Sequence, residues 1–215
     1  MAEVRFPAWV LCGDYWHPTH VPRQGLEALG NNQFSFDYIE NAQEWSAMRM
    51  SAYPLVVLTK SNNISSSDLS GWMTDEVQAA FADYVRQGNG LLAIHSGTAD
   101  YADKPVLRGL LGGVFDHHPP QCLVTVEPLA GHPLCVGSQP FTLQDEHYFM
   151  ALDDAQTEVY VTTQSSYGVQ PGAWRRTHGD GRVAVLTPGH TLDVWLHPSF
   201  QALLVNALRW CAKLT

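Results

Sequence analysis

The 215-residue sequence predicts an α/β domain built on a mostly parallel central sheet. Three observations carry this expectation. Continuous apolar runs such as Pro54-Leu55-Val56-Val57-Leu58-Thr59 have the β-branched character of strands covered on both faces. Stretches with helical spacing lie between such runs, in the strand, helix, strand order that right-handed crossovers require. A chain of this length also suits one domain, residues 1–215, with room for a sizeable core.

Each element has its own signal. Ala8-Trp9-Val10-Leu11-Cys12, ending in Gly13-Asp14, reads as a buried first strand, and a helix from about Val21 to Leu29 follows. Phe34–Ile39 and Pro54–Thr59 are the second and third strands, and Ser61 to Ser70 is a polar loop. Thr74 is a good N-cap, Asp75 and Glu76 suit the positive end of the helix dipole, and Val77, Phe81, Tyr84 and Val85 recur at helical spacing until Gly88 stops the helix. Leu91–Ile94 is the next strand. The second half is less regular, with strands at Val124–Val126, Glu158–Thr162 and Arg182–Thr187, and antiparallel pairing is expected there. Leu203, Ala207, Trp210 and Cys211 form the apolar stripe of a closing helix that starts near Pro198.

Composition narrows the partners. A net charge of −9 provides no basic footprint for nucleic acid or an anionic membrane. No segment approaches the roughly 18 apolar residues that span a bilayer, and the N-terminus lacks an apolar signal region. The four cysteines, Cys12, Cys122, Cys135 and Cys211, form no CxxC pair and read as free thiols, so a cytoplasmic protein is expected. A homo-oligomer is left open.

The stretch Gly90-Leu91-Leu92-Ala93-Ile94-His95-Ser96-Gly97 carries the chemistry. It has the small-x-X-x-Gly outline of a strand-to-helix elbow, which holds its central side chain exposed above the sheet, and that side chain is His95. Imidazole is a good metal ligand and proton carrier, which points away from acyl-enzyme chemistry. His190 follows Arg182–Thr187 through Pro188-Gly189, so it projects from a carboxyl strand end as His95 does. His20 follows the first strand, Asp145-Glu146 sits in a turn, and His118-Pro119-Pro120 is a rigid loop that brings His118 to the cleft. His20, His95, His118, Glu146 and His190 are thus the candidate ligands of a divalent metal such as zinc. His117, His132, His147, His178 and His197 read as surface or loop residues.

With His95, His118, Glu146 and His190 in view, the sequence resembles the ThuA-like, or trehalose-utilisation, family. The matching pieces run from Gly88–Ser96 through Gly113–Pro119, Gly131–Leu134, Asp145–Tyr148, Pro171–Trp174 and Gly179–Val183 to Pro188-Gly189-His190. The resemblance implies a class I glutamine-amidotransferase-like fold, a flavodoxin-like three-layer sandwich. In amidotransferases the elbow carries a cysteine and a glutamate follows the strand-end histidine. Here His95 and Thr191-Leu192-Asp193 stand at those places, which disfavours glutaminase chemistry.

The resemblance further implies carbohydrate catabolism and a sugar or keto-sugar ligand. His95, Glu146 and His190 are then the catalytic candidates for isomerisation, elimination or hydrolysis, with Trp16, Tyr148 and Trp195 stacking on sugar C–H faces. Two other readings stand beside this one. One is a noncatalytic binding or assembly module. The other is a residual hydrolase using Ser96 with His190.

Overall fold

The computed structural model describes residues 5–30, 33–153 and 156–215. The first half alternates as expected: β1 (Phe6–Cys12), α1 (His20–Glu27), β2 (Phe34–Ile39), α2 (Ala47–Met50), β3 (Leu55–Thr59), α3 (Asp75–Arg86), β4 (Gly90–Ile94) and α4 (Pro105–Leu111). The second half adds β5 (Gly113–His117), β6 (Cys122–Pro128), β7 (Phe141–Asp145), β8 (Phe149–Leu152), β9 (Glu158–Ser165), β10 (Gly168–His178), β11 (Gly181–Leu186), α5 (Leu192–Leu196) and α6 (Pro198–Cys211).

Among the described residues nine strands form one sheet in the order β2-β1-β3-β4-β11-β10-β9-β6-β7. From β2 to β11 the neighbours run parallel, and from β11 to β7 each pair is antiparallel. The sheet is therefore mixed, not mostly parallel. Strands β3 and β4 are buried at every residue, as a strand covered on both faces must be, whereas β6 and β7 alternate between core and solvent. A separate antiparallel pair, β5 with β8, carries residues to the cleft described below.

Strand alternation sends Ala8, Val10 and Cys12 to one face, where they pack with Leu26 of α1, Trp195 of α5 and Phe200 and Leu203 of α6. Trp9 and Leu11 point the other way, to Met50, Phe81, Val85 and Leu107 of α2, α3 and α4. The α3 signal holds in detail, since Thr74 accepts from the Val77 N–H at 3.3 Å. Among the described residues no helix is long and apolar enough to cross a membrane.

The order β2-β1-β3-β4 places a switch point between β1 and β3, where successive crossovers leave in opposite directions. Ligands of open α/β sheets gather at the carboxyl ends of strands beside such a point.

Candidate metal and substrate site

Four strand ends supply the site. After β1 the chain turns at Gly13, whose φ of 76° suits glycine, and Asp14 then accepts from the backbone N–H groups of Trp16 and His17, each at 2.9 Å. This tight turn brings His17 back over the sheet. After β4, His95 occupies a left-handed φ of 49°, a strained conformation for a residue with a side chain. The elbow is closed by Gly97, where a Cβ would lie 2.0 Å from the Leu58 carbonyl oxygen. After β11, Gly189 and His190 donate their backbone N–H groups to the buried Asp145 carboxylate, each at 2.9 Å. Asp145 ends β7, so its own neighbour Glu146 is delivered to the same place.

His17, His95, Glu146 and His190 each offer one ligand atom, and these atoms all lie within 4.8 Å of one another. Glu146 Oε2 is 3.1 Å from His190 Nδ1 and 3.4 Å from His95 Nε2. The three imidazoles stand edge to face, with interplanar angles of 80°, 80° and 66°. Second partners fix two of the rings. His17 Nδ1 lies 2.8 Å from Asp14 Oδ1, and His95 Nδ1 lies 2.8 Å from the Thr187 carbonyl oxygen. An acceptor at Nδ1 holds the proton there and leaves the Nε2 lone pair free, which is how histidine ligands are oriented in metal sites.

The electrostatics agree with this arrangement at Glu146, Asp14 and His95, while His190 is shifted toward its protonated form by Glu146. Burial alone would raise the Glu146 carboxyl, but His190 and His95 outweigh it and hold the group well below the usual carboxylate range. Burial is likewise outweighed at Asp14, which the His17 hydrogen bond and charge hold at about 2. Burial pushes the His95 pKa down, favouring the neutral ring that a metal requires. At His190 burial is outweighed by Glu146, and the pKa rises. Within the cluster His17 Nε2, His95 Nε2 and His190 Nδ1 are buried without a hydrogen-bond partner. Buried nitrogens without a hydrogen bond are costly, and three of them around one carboxylate, two in contact with it, are what a divalent cation would satisfy.

The model of the ThuA family, described as trehalose utilisation, matches residues 10–211. The chain belongs to the ThuA family. A ThuA-like protein from Bacteroides uniformis is 20% identical and superposes with a TM-score of 0.77 over 98% of this chain and 93% of that one. A cytoplasmic protein from Salmonella typhimurium is 17% identical, with a TM-score of 0.68 over 94% of this chain and 98% of that one. A β-galactosidase from Rahnella sp. R3 is 16% identical, with a TM-score of 0.65 over 99% of this chain but 32% of that one. At these identities the likeness is one of fold. No curated protein matches the sequence.

In this ThuA member the cluster opens into a cavity of about 290 Å³, walled by Trp16, Phe115, His118 and Tyr148 together with Ser61 and Asp100. Tyr148 stacks on His95 with ring centroids 3.9 Å apart, and Trp16 is 66% exposed at the mouth. His118 Nε2 stands 3.7 Å from Glu146 Oε1 and outside the four-ligand group.

Three sequence expectations change. His20 is exposed as the first residue of α1 and stays outside the cluster, while His17 takes the place expected of it. Trp195 is no platform for a sugar: it is 1% exposed, donates to the Gly189 carbonyl at 2.7 Å, and packs so tightly on α1 that a Cβ at Gly25 would lie 2.4 Å from its ring. His147 is buried rather than on the surface, held between Ser165 and Thr163 hydroxyls. Sequence reasoning missed His17, Asp14 and Asp100. The signal for the first two was the Gly-Asp pair directly after a strand, with a histidine three residues beyond Asp14.

Proposed function

We propose that this protein is a metal-dependent enzyme of carbohydrate catabolism that acts on a sugar or keto-sugar, with His17, His95, Glu146 and His190 holding a divalent ion such as zinc. The observation that carries this reading is the set of three buried imidazole nitrogens without a hydrogen bond, gathered around one carboxylate at the carboxyl ends of the strands. Membership of the trehalose-utilisation family supplies the substrate class. A cavity of about 290 Å³ is at the small end of ligand pockets, about 300–1,000 Å³, and suits one sugar ring with the remainder outside.

When bound, the ion supplies Lewis-acid polarisation of a substrate oxygen. The protein's own groups do the rest. His118 Nδ1 lies 2.7 Å from the Pro119 carbonyl oxygen, so that nitrogen holds the proton and Nε2 presents a lone pair beside Glu146 Oε1. A proton taken from a hydroxyl-bearing C–H next to a ketone has His118 Nε2 as its acceptor; its return to the former carbonyl carbon, with the hydroxyl hydrogen passing to the former ketone oxygen, completes an isomerisation, while Glu146 stays with the ion. Trp16, Phe115 and Tyr148 provide faces for the apolar side of a ring and exclude water from it.

The elbow with histidine in place of cysteine supports an amidotransferase-like, flavodoxin-like scaffold diverted from glutaminase chemistry. The buried Cys12 and Cys211 are each pushed up to about 12 by burial, as inert thiols suited to a reducing cytoplasm. Among the described residues Ser96 Oγ is buried without a hydrogen-bond partner, which argues against its activation as a nucleophile.

Elemental analysis of the wild type, His95→Ala and His190→Ala tests the metal. About one divalent ion per chain is expected in the wild type and a loss of most of it in both variants. Equal, negligible metal in all three would overturn the proposal. A screen for turnover of oxidised disaccharides tests the enzyme, and bound metal without turnover would favour a binding module.

A further inference from the structure

Asp100 follows the turn that carries His95 and stands in the cavity wall, yet the cluster does not use it. Its backbone is left-handed at φ 61°, a conformation that asparagine and aspartate tolerate better than other side chains and that is concentrated at functional sites. Among the described residues its carboxylate forms no hydrogen bond or ion pair. Asp100 is exposed at the rim of the cavity, and partial burial of its carboxylate, then the charge of Asp14, raise its pKa, so the local field opposes a further anion.

Apart from its imidazoles, the wall has no cationic side chain among the described residues to receive an anion. Among the described residues no lysine or arginine lines the cavity. Lys60 lies directly before Ser61 but is fully buried, with Nζ directed to the carbonyl oxygens of Gly13, Asn63 and Ile64 at 3.0, 2.6 and 3.3 Å. A divalent ion in the cluster would have its charge balanced by Glu146 and by Asp14 behind His17, leaving Asp100 in excess.

We infer that Asp100 makes this cavity selective for a neutral, hydroxyl-bearing ring over the phosphorylated form of the same sugar. This inference rests on the sugar-binding reading above. An ionised carboxylate is an acceptor only, so it takes the hydrogens of one or two ring hydroxyls, while a phosphate dianion offers it none and is repelled. A site built to accept from hydroxyls discriminates strongly against a ligand that cannot donate.

Titration calorimetry of the full chain with trehalose, keto-trehalose and the 6,6′-bisphosphate ester of each, in which either ring that enters the cavity carries the charge, tests it. The wild type is expected to bind at least one neutral sugar ~10-fold or more tightly than its ester. Asp100→Asn keeps a residue that accepts the left-handed backbone and removes the charge, and Asp100→Gly removes the side chain without backbone strain. Both are expected to retain wild-type metal content and to shrink that preference by ~10-fold. Sugar binding with an ester bound equally well by the wild type, or a preference unchanged in both variants, overturns the role of Asp100 and leaves the sugar-binding reading intact. No binding of any of the four compounds to the wild type overturns that reading, and this inference with it.

Discussion

His17 and His20 lie three residues apart after the same strand, yet only one reaches the cluster. Asp14 decides between them. Its carboxylate gathers the N–H groups of Trp16 and His17 and then the His17 ring itself, so the chain folds back before α1 begins, and His20 is carried off on the helix. If a metal is held as proposed, His17→Ala should lower its affinity at least as much as the 10–100-fold that loss of an outer partner costs, while His20→Ala should leave it unchanged. Competition with a chromophoric chelator reads both, and a larger loss in His20→Ala would reverse the assignment. Histidines 95 and 190 were legible because each follows soon after a strand-like run, with Gly97 and Gly189 close by. His17 was not, because its position depends on a side-chain turn that no periodicity records.

At the scale of elements, β4 and the 3₁₀ turn His95–Thr98 act as one unit against β3. The position of Gly97 is set by approach, since an added Cβ would sit 2.0 Å from the Leu58 carbonyl oxygen in the middle of the sheet. Gly97→Ala should therefore destabilise the fold by about 1–3 kcal/mol, because the obstacle is backbone and cannot swing aside. A shift of the urea midpoint with an unchanged slope is the expected record, and an unshifted midpoint would show that the turn yields. The parallel strands could be read from the sequence because burial on both faces leaves continuous apolar runs. Strands β5, β7, β8 and β10 were not read. They are short, partly exposed or, in β10, interrupted by register shifts around Pro171 and Ala173, and their polar residues resemble loops when pairing partners are unknown. For the same reason Asp145, which ties the end of β7 to the loop before His190, had no local signal.

For the molecule as a whole, the site depends on holding apart and in register the loops that leave β1 and β3 on either side of the switch point. Lys60 does this from inside. Its ammonium is fully buried and bridges the carbonyls of Gly13, Asn63 and Ile64, its own carbonyl accepts from Tyr101, and next to it Ser61 N–H donates to Asp14. Burial pushes its pKa down to about 8 from 10.5, against the opposing charges of Asp14 and Cys12. Between these two values the unfolded chain keeps a proton that the folded chain has released, so rising pH favours the folded state in that window. The contribution is complete above about 10.5 and is lost as pH falls through 8, with a size on the order of 3 kcal/mol. Cys12 and Cys211, each raised to about 12 from 9.0 by burial, act in the opposite sense at higher pH, so the raw stability curve mixes these contributions. Lys60→Met retains Cys12 and Cys211 and removes only the lysine. Measured by urea unfolding at intervals from pH 7.5 to 10.5, the stability difference between wild type and Lys60→Met should widen in favour of the wild type as pH rises. A difference that stays flat would mean that the buried ammonium keeps its proton throughout, held by the three carbonyls more strongly than burial disfavours it.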